Sequence, residues 1–291
     1  MDLPLVVGVD GSDSSLQAVD WAVDEAARHG LHLRLVYASR WERYEGARPS
    51  FGTDRPAEEV MAEHIVASSA ERARLRDPEV KVSGEVFPDD AVSALLHAGP
   101  EAFALVTGSR GRGELAGMLL GSVSLTVAAR AVCPVIVVRG AEQNLRGAFG
   151  RVVVGVGDST EGSGAVRFAF GEAGARGCAV EAVRAWRGPA HEHVDHPLLA
   201  DDAARAHEER ASVNLTDALR GVVRDHPDVD VHRRPVEGPA HKVLLAASAR
   251  ADLVIVGAPR RHGHFGLQLG RVAHVLLHHS ECPVAVVPQR A

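Results

Sequence analysis

An internal repeat constrains the fold of this chain more than any other feature of its sequence. The apolar run at residues 5–9, Leu-Val-Val-Gly-Val, returns at residues 152–156 as Val-Val-Val-Gly-Val, an offset of 147 (152 − 5). Towards the end of each half, Cys-Pro-Val at 133–135 returns at 282–284, an offset of 149 (282 − 133). Self-similarity at a nearly fixed offset indicates that a structural unit occurs twice.

The length of the chain fits two such units. Its 291 residues are about twice the size of an ordinary domain. We predict one domain at residues 1–140 and a second at 150–291, joined by a polar, glycine-containing linker near 139–150. Short apolar runs alternate with amphipathic segments in each half. This order predicts two α/β domains, each an open five-stranded parallel sheet with helices on both faces.

The predicted strands are short runs bounded by turn residues. In the first half they lie at residues 5–9, 31–37, 80–87, 103–107 and 135–138, and in the second half at 151–156, 179–186, 229–236, 253–256 and 284–287. We expect Ser12 and Ser14 to cap the first helix, and we expect the last helix to span residues 268–279. Cys133 and Cys282 precede equivalent strands, where buried small side chains are expected.

Charge and cysteine content exclude several classes of protein. The formal net charge is −6, so no overall basic field attracts nucleic acid or an anionic membrane surface. The three cysteines include no CxxC pair and give no disulfide framework, so a reducing compartment is the simpler expectation. We find neither a signal peptide nor an apolar run long enough to span a bilayer. These patterns predict a cytoplasmic protein that binds neither nucleic acid nor membrane.

A glycine-rich loop follows the fourth predicted strand of the first half. It reads Gly108-Ser109-Arg110-Gly111, then nine residues, then Gly121-Ser122, where a helix is expected to begin. Glycines let the backbone approach a ligand closely. The N-terminus of a helix presents free N–H groups and the positive end of its dipole. The loop therefore predicts an anion site, most simply for a phosphate.

Several common phosphate and catalytic sites do not fit this loop. A P-loop needs a lysine after its last glycine, and the chain has only two lysines, Lys81 and Lys242, both far away in sequence. The dinucleotide pattern Gly-x-Gly-x-x-Gly starts at Gly155 and Gly157 but has Thr160 as its third member. A Gly-x-Ser-x-Gly nucleophile elbow is also absent.

The loop, the following Cys133-Pro134-Val135 strand and the opening Val7-Gly8-Val9-Asp10-Gly11-Ser12 resemble the universal stress protein family. The resemblance covers all 291 residues as a tandem pair of domains. It implies a Rossmann-like fold, of the kind called adenine nucleotide alpha hydrolase-like. It also implies a site for an adenine nucleotide, usually ATP, with or without Mg²⁺.

The resemblance assigns roles to individual residues of the first half. The acid after the first strand would contact the base or ribose, and a residue ending the second strand would pack near adenine. Two glycines would admit the ribose and phosphates, and the start of the helix would bind phosphate. In this chain these residues are Asp10, Ala38, Gly108, Gly111, Gly121, Ser122 and Val123. Arg110 adds positive charge to the same loop.

The second half departs from this pattern. Arg260 stands where the first half has Gly111, Arg271 replaces Ser122, and Gly157 replaces Asp10. A bulky residue hinders the approach of backbone to phosphate. We therefore expect ATP in the first half alone. The alternative is that Arg260 and Arg271 form a different anion site.

Two classes of function remain open. The first is an ATP-binding regulator of a stress response, and the second is a weak ATP hydrolase or phosphotransfer enzyme that uses the same site. Phosphoryl transfer needs a metal site and a positioned base. Neither is evident around the loop, so binding is favoured, and no catalytic residue is assigned. A scaffold with an incidental site is a third possibility.

Weaker sequence patterns bear on metal binding and on protein partners. His274 and His278 have the i, i+4 spacing that places two imidazoles on one helix face, but no cysteine or acid completes a metal-binding pattern. We expect no metal site there.

The short apolar last strands, 135–138 and 284–287, are expected at sheet edges, which favour pairing. In the family such strands join two domains, which implies an internal pseudo-dimer and leaves a homodimer open.

Overall fold

The computed structural model describes residues 3–39, 57–111, 120–157, 163–188, 197–259 and 269–289. The described residues divide into two compact units, one running to Arg139 and the other from Gly140 onwards. We call them the first unit and the second unit. Arg260 and most of the predicted loops at 39–55 and 188–197 lie outside the described residues.

The first unit alternates strands and helices as predicted. Its elements are β1 (Leu5–Gly8), α1 (Asp13–His29), β2 (Leu33–Ala38), α2 (Ala57–Arg76), β3 (Val82–Phe87), α3 (Ala91–Ala98), a 3₁₀ turn (Gly99–Glu101), β4 (Ala104–Gly108), α4 (Ser122–Arg130) and β5 (Val135–Val138). Every paired strand is parallel, and the order across the sheet is β3-β2-β1-β4-β5.

Sequence patterns explain these elements locally. Every residue of β4 and β5 is buried, as expected for strands covered by helices on both faces. The Ser12 side chain caps α1 by accepting from the backbone N–H of Ser15, which confirms that predicted cap. Gly30 ends the helix in the left-handed conformation, with φ of 64°. Between these caps α1 buries an apolar face made of Ala18, Val19, Trp21, Ala22, Val23 and Ala26.

The second unit repeats this arrangement. Its elements are α5 (Glu142–Leu145), β6 (Arg151–Gly155), α6 (Gly164–Arg176), β7 (Ala179–Trp186), α7 (Pro197–Asp225), β8 (Val231–Glu237), α8 (Ala240–Ser248), β9 (Leu253–Pro259), α9 (Arg271–His279) and β10 (Val284–Gln289). Its strands are again parallel, in the order β8-β7-β6-β9-β10. The predicted fold class is therefore confirmed.

The strand order places a crevice in each unit. In the first unit the chain winds outwards from β1 through β2 to β3, and then continues on the other side with β4 and β5. The direction of winding reverses between β1 and β4. Ligands of open α/β sheets bind beyond the carboxyl ends of the strands at such a reversal. Asp10 follows β1, and the glycine-rich loop follows β4, so both lie at this crevice.

The start of the last helix and the expected linker differ from the sequence predictions. The last helix begins at Arg271 rather than at residue 268. The segment that we expected to be a linker contains α5 and packs on the second unit. Asn144 is 2% exposed, and its side-chain amide donates to the backbone oxygens of Ser248 at 3.1 Å and Ala251 at 2.8 Å. Composition gave no sign of these contacts, because they join residues about a hundred positions apart in the chain.

The cysteines behave as predicted. Cys133 and Cys282 are buried at 8% and 0% exposure, and no described cysteine forms a disulfide. Burial raises the pKa of the Cys133 thiol to about 11, so this side chain is a neutral thiol at physiological pH. Among the described residues, no helix is both long enough and apolar enough to cross a membrane.

Candidate functional site

The start of the glycine-rich loop is fixed to the first turn of α1. The backbone N–H of Arg110 donates to Ser14 Oγ at 3.1 Å. A Cβ atom added at Gly108 would lie 2.5 Å from both the backbone oxygen and the hydroxyl of Ser14. Gly108 is therefore required by close packing of the loop against the helix. The result is a fixed exit angle for the chain as it leaves β4.

Asp10 and Gly111 meet across the crevice. A Cβ atom at Gly111 would lie 2.8 Å from Asp10 Oδ2. The other carboxylate oxygen, Oδ1, accepts hydrogen bonds from the Ser12 backbone N–H at 3.0 Å and from the Ser12 hydroxyl at 2.6 Å. These two bonds hold the carboxylate in one orientation, with Oδ2 directed at the loop.

The N-terminus of α4 closes the loop. Gly121 is the N-cap residue, and it supplies no side-chain hydrogen bond to the helix. Its own N–H donates to the Ser109 oxygen at 2.8 Å, which returns the chain to the start of the loop. Ser122 is exposed at the first helical position, followed by half-buried Val123. The first-turn N–H groups have no acceptor within the helix and point out of its end.

A buried hydroxyl ties this helix to the strand before it. Ser124 Oγ donates to the Gly108 oxygen at 2.7 Å, and the Ser124 side chain is 5% exposed. The two ends of the loop are thus linked near Gly108 through Ser14 and Ser124. Sequence reasoning missed both contacts. It treated Ser14 as a helix cap, which is wrong, because Ser12 is the cap and Ser14 holds the loop.

The structure brings most of the predicted site residues to one place. Asp10, Gly108, Arg110, Gly111 and Gly121 are joined by the contacts above, with Ser122 and Val123 next in the chain. Ala38 ends β2, the strand beside β1, and so lies at the same edge of the sheet. The exposed Arg110 side chain and the dipole of α4 make the loop end of the crevice favourable for an anion.

The corresponding place in the second unit is built differently. A Cβ atom at Gly257, near the end of β9, would lie 2.6 Å from the side-chain nitrogen of Gln289, so a long side chain fills the space next to this glycine. Gly157 stands in place of Asp10 and offers no carboxylate. Its backbone oxygen accepts instead from the guanidinium group of Arg184. Arg271 begins α9 and is exposed.

The paired histidines of α9 do not form a metal centre in the described part of the chain. The His274 and His278 rings stack with their centroids 4.5 Å apart. No third histidine, cysteine, aspartate or glutamate joins them among the residues searched, which were those that the structure describes.

Comparison with known proteins identifies the family. The model of the universal stress protein family matches residues 3–139 and 148–288, once in each unit. A universal stress protein of Mycobacterium tuberculosis is 34% identical over 295 aligned positions, which cover 98% of this chain and 97% of that protein. The chain therefore belongs to the universal stress protein family.

A solved structure of similar length agrees with this fold. A universal stress protein from Archaeoglobus fulgidus covers 98% of this chain and 98% of its own, with a TM-score of 0.68 and 19% identity. Another universal stress protein from that organism was solved in complex with dAMP. It covers 47% of this chain and 98% of its own, with 19% identity and a TM-score of 0.36.

Proposed function

We propose that the first unit binds ATP and that the protein acts as a nucleotide-dependent regulator of a stress response in the cytoplasm. The observation that carries the proposal is the meeting of Asp10 with Gly111 at the crevice, where a Cβ atom added to the glycine would lie 2.8 Å from Oδ2. The same short loop thus borders an acceptor for a sugar or base on one side and a helix N-terminus on the other.

Backbone N–H groups and one positively charged side chain would form the phosphate end of this site. Gly121 has no side chain to cap α4, so the N–H groups at Ser122 and Val123 are accessible to an oxyanion. Arg110 is exposed in the same loop and would add a charged donor. Backbone donors suit phosphate because they are fixed in place before the ligand arrives and lose little entropy on binding.

The nucleoside end would be formed by a carboxylate held in position. Asp10 is oriented by its two hydrogen bonds to Ser12, so Oδ2 is directed into the crevice before any ligand binds. An ionised carboxylate is an acceptor only, which suits a ribose hydroxyl or a base N–H. Ala38 places its backbone at the same edge, one strand away, where adenine would pack.

The second unit is not expected to bind ATP in the same way. Gln289 packs against Gly257, Arg271 replaces the serine at the start of the helix, and the carboxylate is missing. A variant that copies one of these differences into the first unit should lose ATP binding. Gly111→Arg copies into the first unit the residue that the second unit has at the equivalent position.

The test is calorimetric titration of nucleotide-free full-length protein with ATP, in the presence and absence of Mg²⁺. We expect one ATP per chain for the wild type and at least tenfold weaker binding for Gly111→Arg. Gly171→Arg is the matched control, since a Cβ at this exposed position in α6 meets no atom within 4 Å. It should bind ATP like the wild type.

The proposal fails if the wild type binds no ATP, or if Gly111→Arg binds as tightly as Gly171→Arg. Single-turnover measurement of released phosphate, with Mg²⁺ present, separates a regulator from a hydrolase. A regulator should release phosphate no faster than free ATP does. Turnover that is lost in Gly111→Arg would favour the hydrolase instead.

A further inference from the structure

One continuous segment of the chain forms the outer part of each unit. In the first unit this outer segment is α2 with β3 (residues 57–87), and in the second unit it is α7 with β8 (residues 197–237). Each outer segment packs on an inner helix and an inner strand, which are α1 and β2 in the first unit and α6 and β7 in the second. Exchange of segments between similar repeats is a characteristic folding error of repeat proteins.

Backbone pairing does not distinguish the two outer segments. Leu33 of β2 lies opposite Val82 of β3, and Val180 of β7 lies opposite Val231 of β8. The inner strands are thus related by an offset of 147 (180 − 33) and the outer strands by 149 (231 − 82). Both pairs are parallel and share one register, so an exchanged outer strand could make the same backbone hydrogen bonds.

The outer helices correspond to each other in the same way. The offset of 149 that relates β3 to β8 also relates buried positions of the helices, which are Ala62, Ser69, Ala70 and Ala73 in α2 and Ala211, Ala218, Leu219 and Val222 in α7. Each outer helix therefore turns an equivalent face to its own unit. Side chains around that face must carry much of the information that assigns each segment to one unit.

An ion pair between the inner and outer strands has opposite polarity in the two units. In the first unit the base is on the inner strand, where Arg34 Nε donates to Glu85 Oε2 at 3.0 Å. In the second unit the acid is on the inner strand, where Glu181 accepts from Arg234 at 2.9 Å. These positions are equivalent (34 + 147 and 85 + 149). The charges have exchanged places while the pair has been kept.

Ion pairs also join the inner and outer helices of the first unit. Arg72 of α2 donates to both carboxylate oxygens of Asp20 in α1, each at 2.6 Å. One turn further on, Arg76 donates to both oxygens of Asp24 at 2.6 and 2.7 Å. In the first unit the inner helix therefore supplies the acids and the outer helix supplies the bases.

The second unit reverses charges at these helical positions as well. Arg167 of α6 stands at the position of Asp20, and Asp225 of α7 stands at the position of Arg76 (20 + 147 and 76 + 149). Glycine occupies the other two equivalent positions, 171 and 221. The inner helix of the second unit thus carries a base and its outer helix an acid, the opposite of the first unit.

Exchange of the outer segments would bring like charges together in the first unit. If α7 and β8 docked there, Asp225 would lie beside Asp24, and Arg234 would lie beside Arg34. Like charges opposite each other on adjacent strands, or between packed helices, disfavour association. Two native ion pairs would be replaced by two repulsive contacts.

The same exchange would be unfavourable in the second unit. If α2 and β3 docked there, Arg72 would lie beside Arg167, and Glu85 would lie beside Glu181. The Glu181 side chain is only 4% exposed, and a second carboxylate close to a buried one strongly disfavours ionisation of both. We propose that the opposite polarity of these contacts directs each outer segment to its own unit and prevents exchange of outer segments between the two repeats.

The test lets one introduced cysteine choose between the two outer strands of the full-length chain. His32 Nε2 lies 2.7 Å from Ser83 Oγ across β2 and β3, and His232 of β8 is equivalent to Ser83 (83 + 149). In His32→Cys/Ser83→Cys/His232→Cys, a disulfide between positions 32 and 83 reports native pairing, and one between positions 32 and 232 reports exchange. The chain is refolded from urea in a glutathione redox buffer, and peptide mass spectrometry gives the ratio of the two linkages.

The perturbation reverses two ion pairs of the first unit without breaking them. Asp24→Arg/Arg76→Asp/Arg34→Glu/Glu85→Arg, added to the three cysteine changes, keeps each pair and the net charge. It turns the two repulsive contacts of an exchanged α7–β8 segment into attractive ones. Arg34→Glu/Glu85→Arg alone is a milder variant that changes only the strand contact.

The matched control is Asp217→Arg/Arg220→Asp, which reverses an exposed ion pair that lies within α7 alone. It also keeps the pair and the net charge, but it changes no contact between an inner and an outer element listed above. Its ratio of exchanged to native linkage should stay within about twofold of the unmodified background, since an intrahelical pair has only a small effect.

We expect the native linkage to predominate in the unmodified background. An exposed ion pair changes an equilibrium by about two- to fivefold, so the four-residue reversal should raise the ratio of exchanged to native linkage at least tenfold and the strand reversal about threefold. The proposal is overturned if both reversals leave the ratio unchanged, or if the control raises it as much as they do. Equal amounts of the two linkages in the unmodified background would also overturn it.

Discussion

Replacing Gly108 by alanine tests the packing that fixes the glycine-rich loop. The added Cβ would lie 2.5 Å from both the backbone oxygen and the hydroxyl of Ser14, about 1 Å inside ordinary contact distance. Both positions are held firmly, because Ser14 lies in the first turn of α1 and Gly108 ends a buried strand. Relief of this overlap requires the helix and strand to move apart.

The loss in the free energy of unfolding caused by Gly108→Ala can be bounded from the usual effect of overpacking. Added methyl groups in well-packed sites cost about 1–3 kcal/mol of the free energy of unfolding. For a unit of this size that corresponds to a fall in Tm of roughly 3–10 °C. Ser14→Ala should cost about 0.5–1.5 kcal/mol, because it removes the hydroxyl that accepts from the Arg110 N–H.

Combining Gly108→Ala with Ser14→Ala gives a stricter test of the same packing. Ser14→Ala removes one of the three clashing atoms, the hydroxyl oxygen, and leaves the backbone carbonyl carbon and oxygen in place. Gly108→Ala/Ser14→Ala should therefore lose less stability than the sum of the two single variants, by about 1 kcal/mol. Urea unfolding followed by circular dichroism and tryptophan fluorescence measures all four free energies of the cycle.

The control is Gly171→Ala in α6, where a Cβ meets no atom within 4 Å. Alanine is a better helix former than glycine, so this variant should gain up to about 1 kcal/mol. The reasoning is refuted if Gly108→Ala unfolds within about 0.5 kcal/mol of the wild type. It is also refuted if the two single changes are simply additive.

Three further predictions concern other parts of the molecule. Asp10→Asn should weaken ATP binding in calorimetry by about tenfold, because a charged acceptor is lost, and should change Tm little since the amide oxygen can still accept from Ser12. Cys133 should resist iodoacetamide at pH 8 and react only in urea, because burial raises the pKa of its thiol to about 11; alkylation of the native protein at this residue would contradict that. Asn144→Ala should lower the free energy of unfolding by about 1–3 kcal/mol in urea titration, since it removes a buried amide that donates to the carbonyls of Ser248 and Ala251, and an unchanged midpoint would contradict the contact.

The sequence predicted the features that depend on local pattern. The apolar runs gave β5 and β7 with their observed limits, and helix α2 begins and ends where its pattern does, before Asp77 and Pro78. A parallel order followed from the alternation of strands and helices, because parallel neighbours need crossover connections. These features arise from burial and chain geometry within about twenty residues.

Contacts between distant residues could not be predicted in the same way. Ser14 and Arg110 are 96 positions apart, and a serine two residues after a cap gives no sign that it holds a loop. Gly108 was expected to make room for a ligand, and the structure shows a second reason for a glycine there, since it also makes room for α1. Only the position of the loop against the helix reveals this second reason.

The buried Asn144 changes where the chain is best divided. Residues 140–147 lie outside both regions that match the family model, yet Ala141 donates to the Glu281 oxygen at 3.0 Å and Asn144 donates to carbonyls at the end of α8 and just after it. At Gly140, with φ of 108°, a Cβ would lie 2.1 Å from that same Glu281 oxygen, so a bulkier residue could not take its place. An expressed fragment of the second unit should therefore start at residue 140, because one that starts at residue 150 would lack the donors that residues 140–147 supply to four backbone oxygens, those of Glu281, Ser248, Ala249 and Ala251.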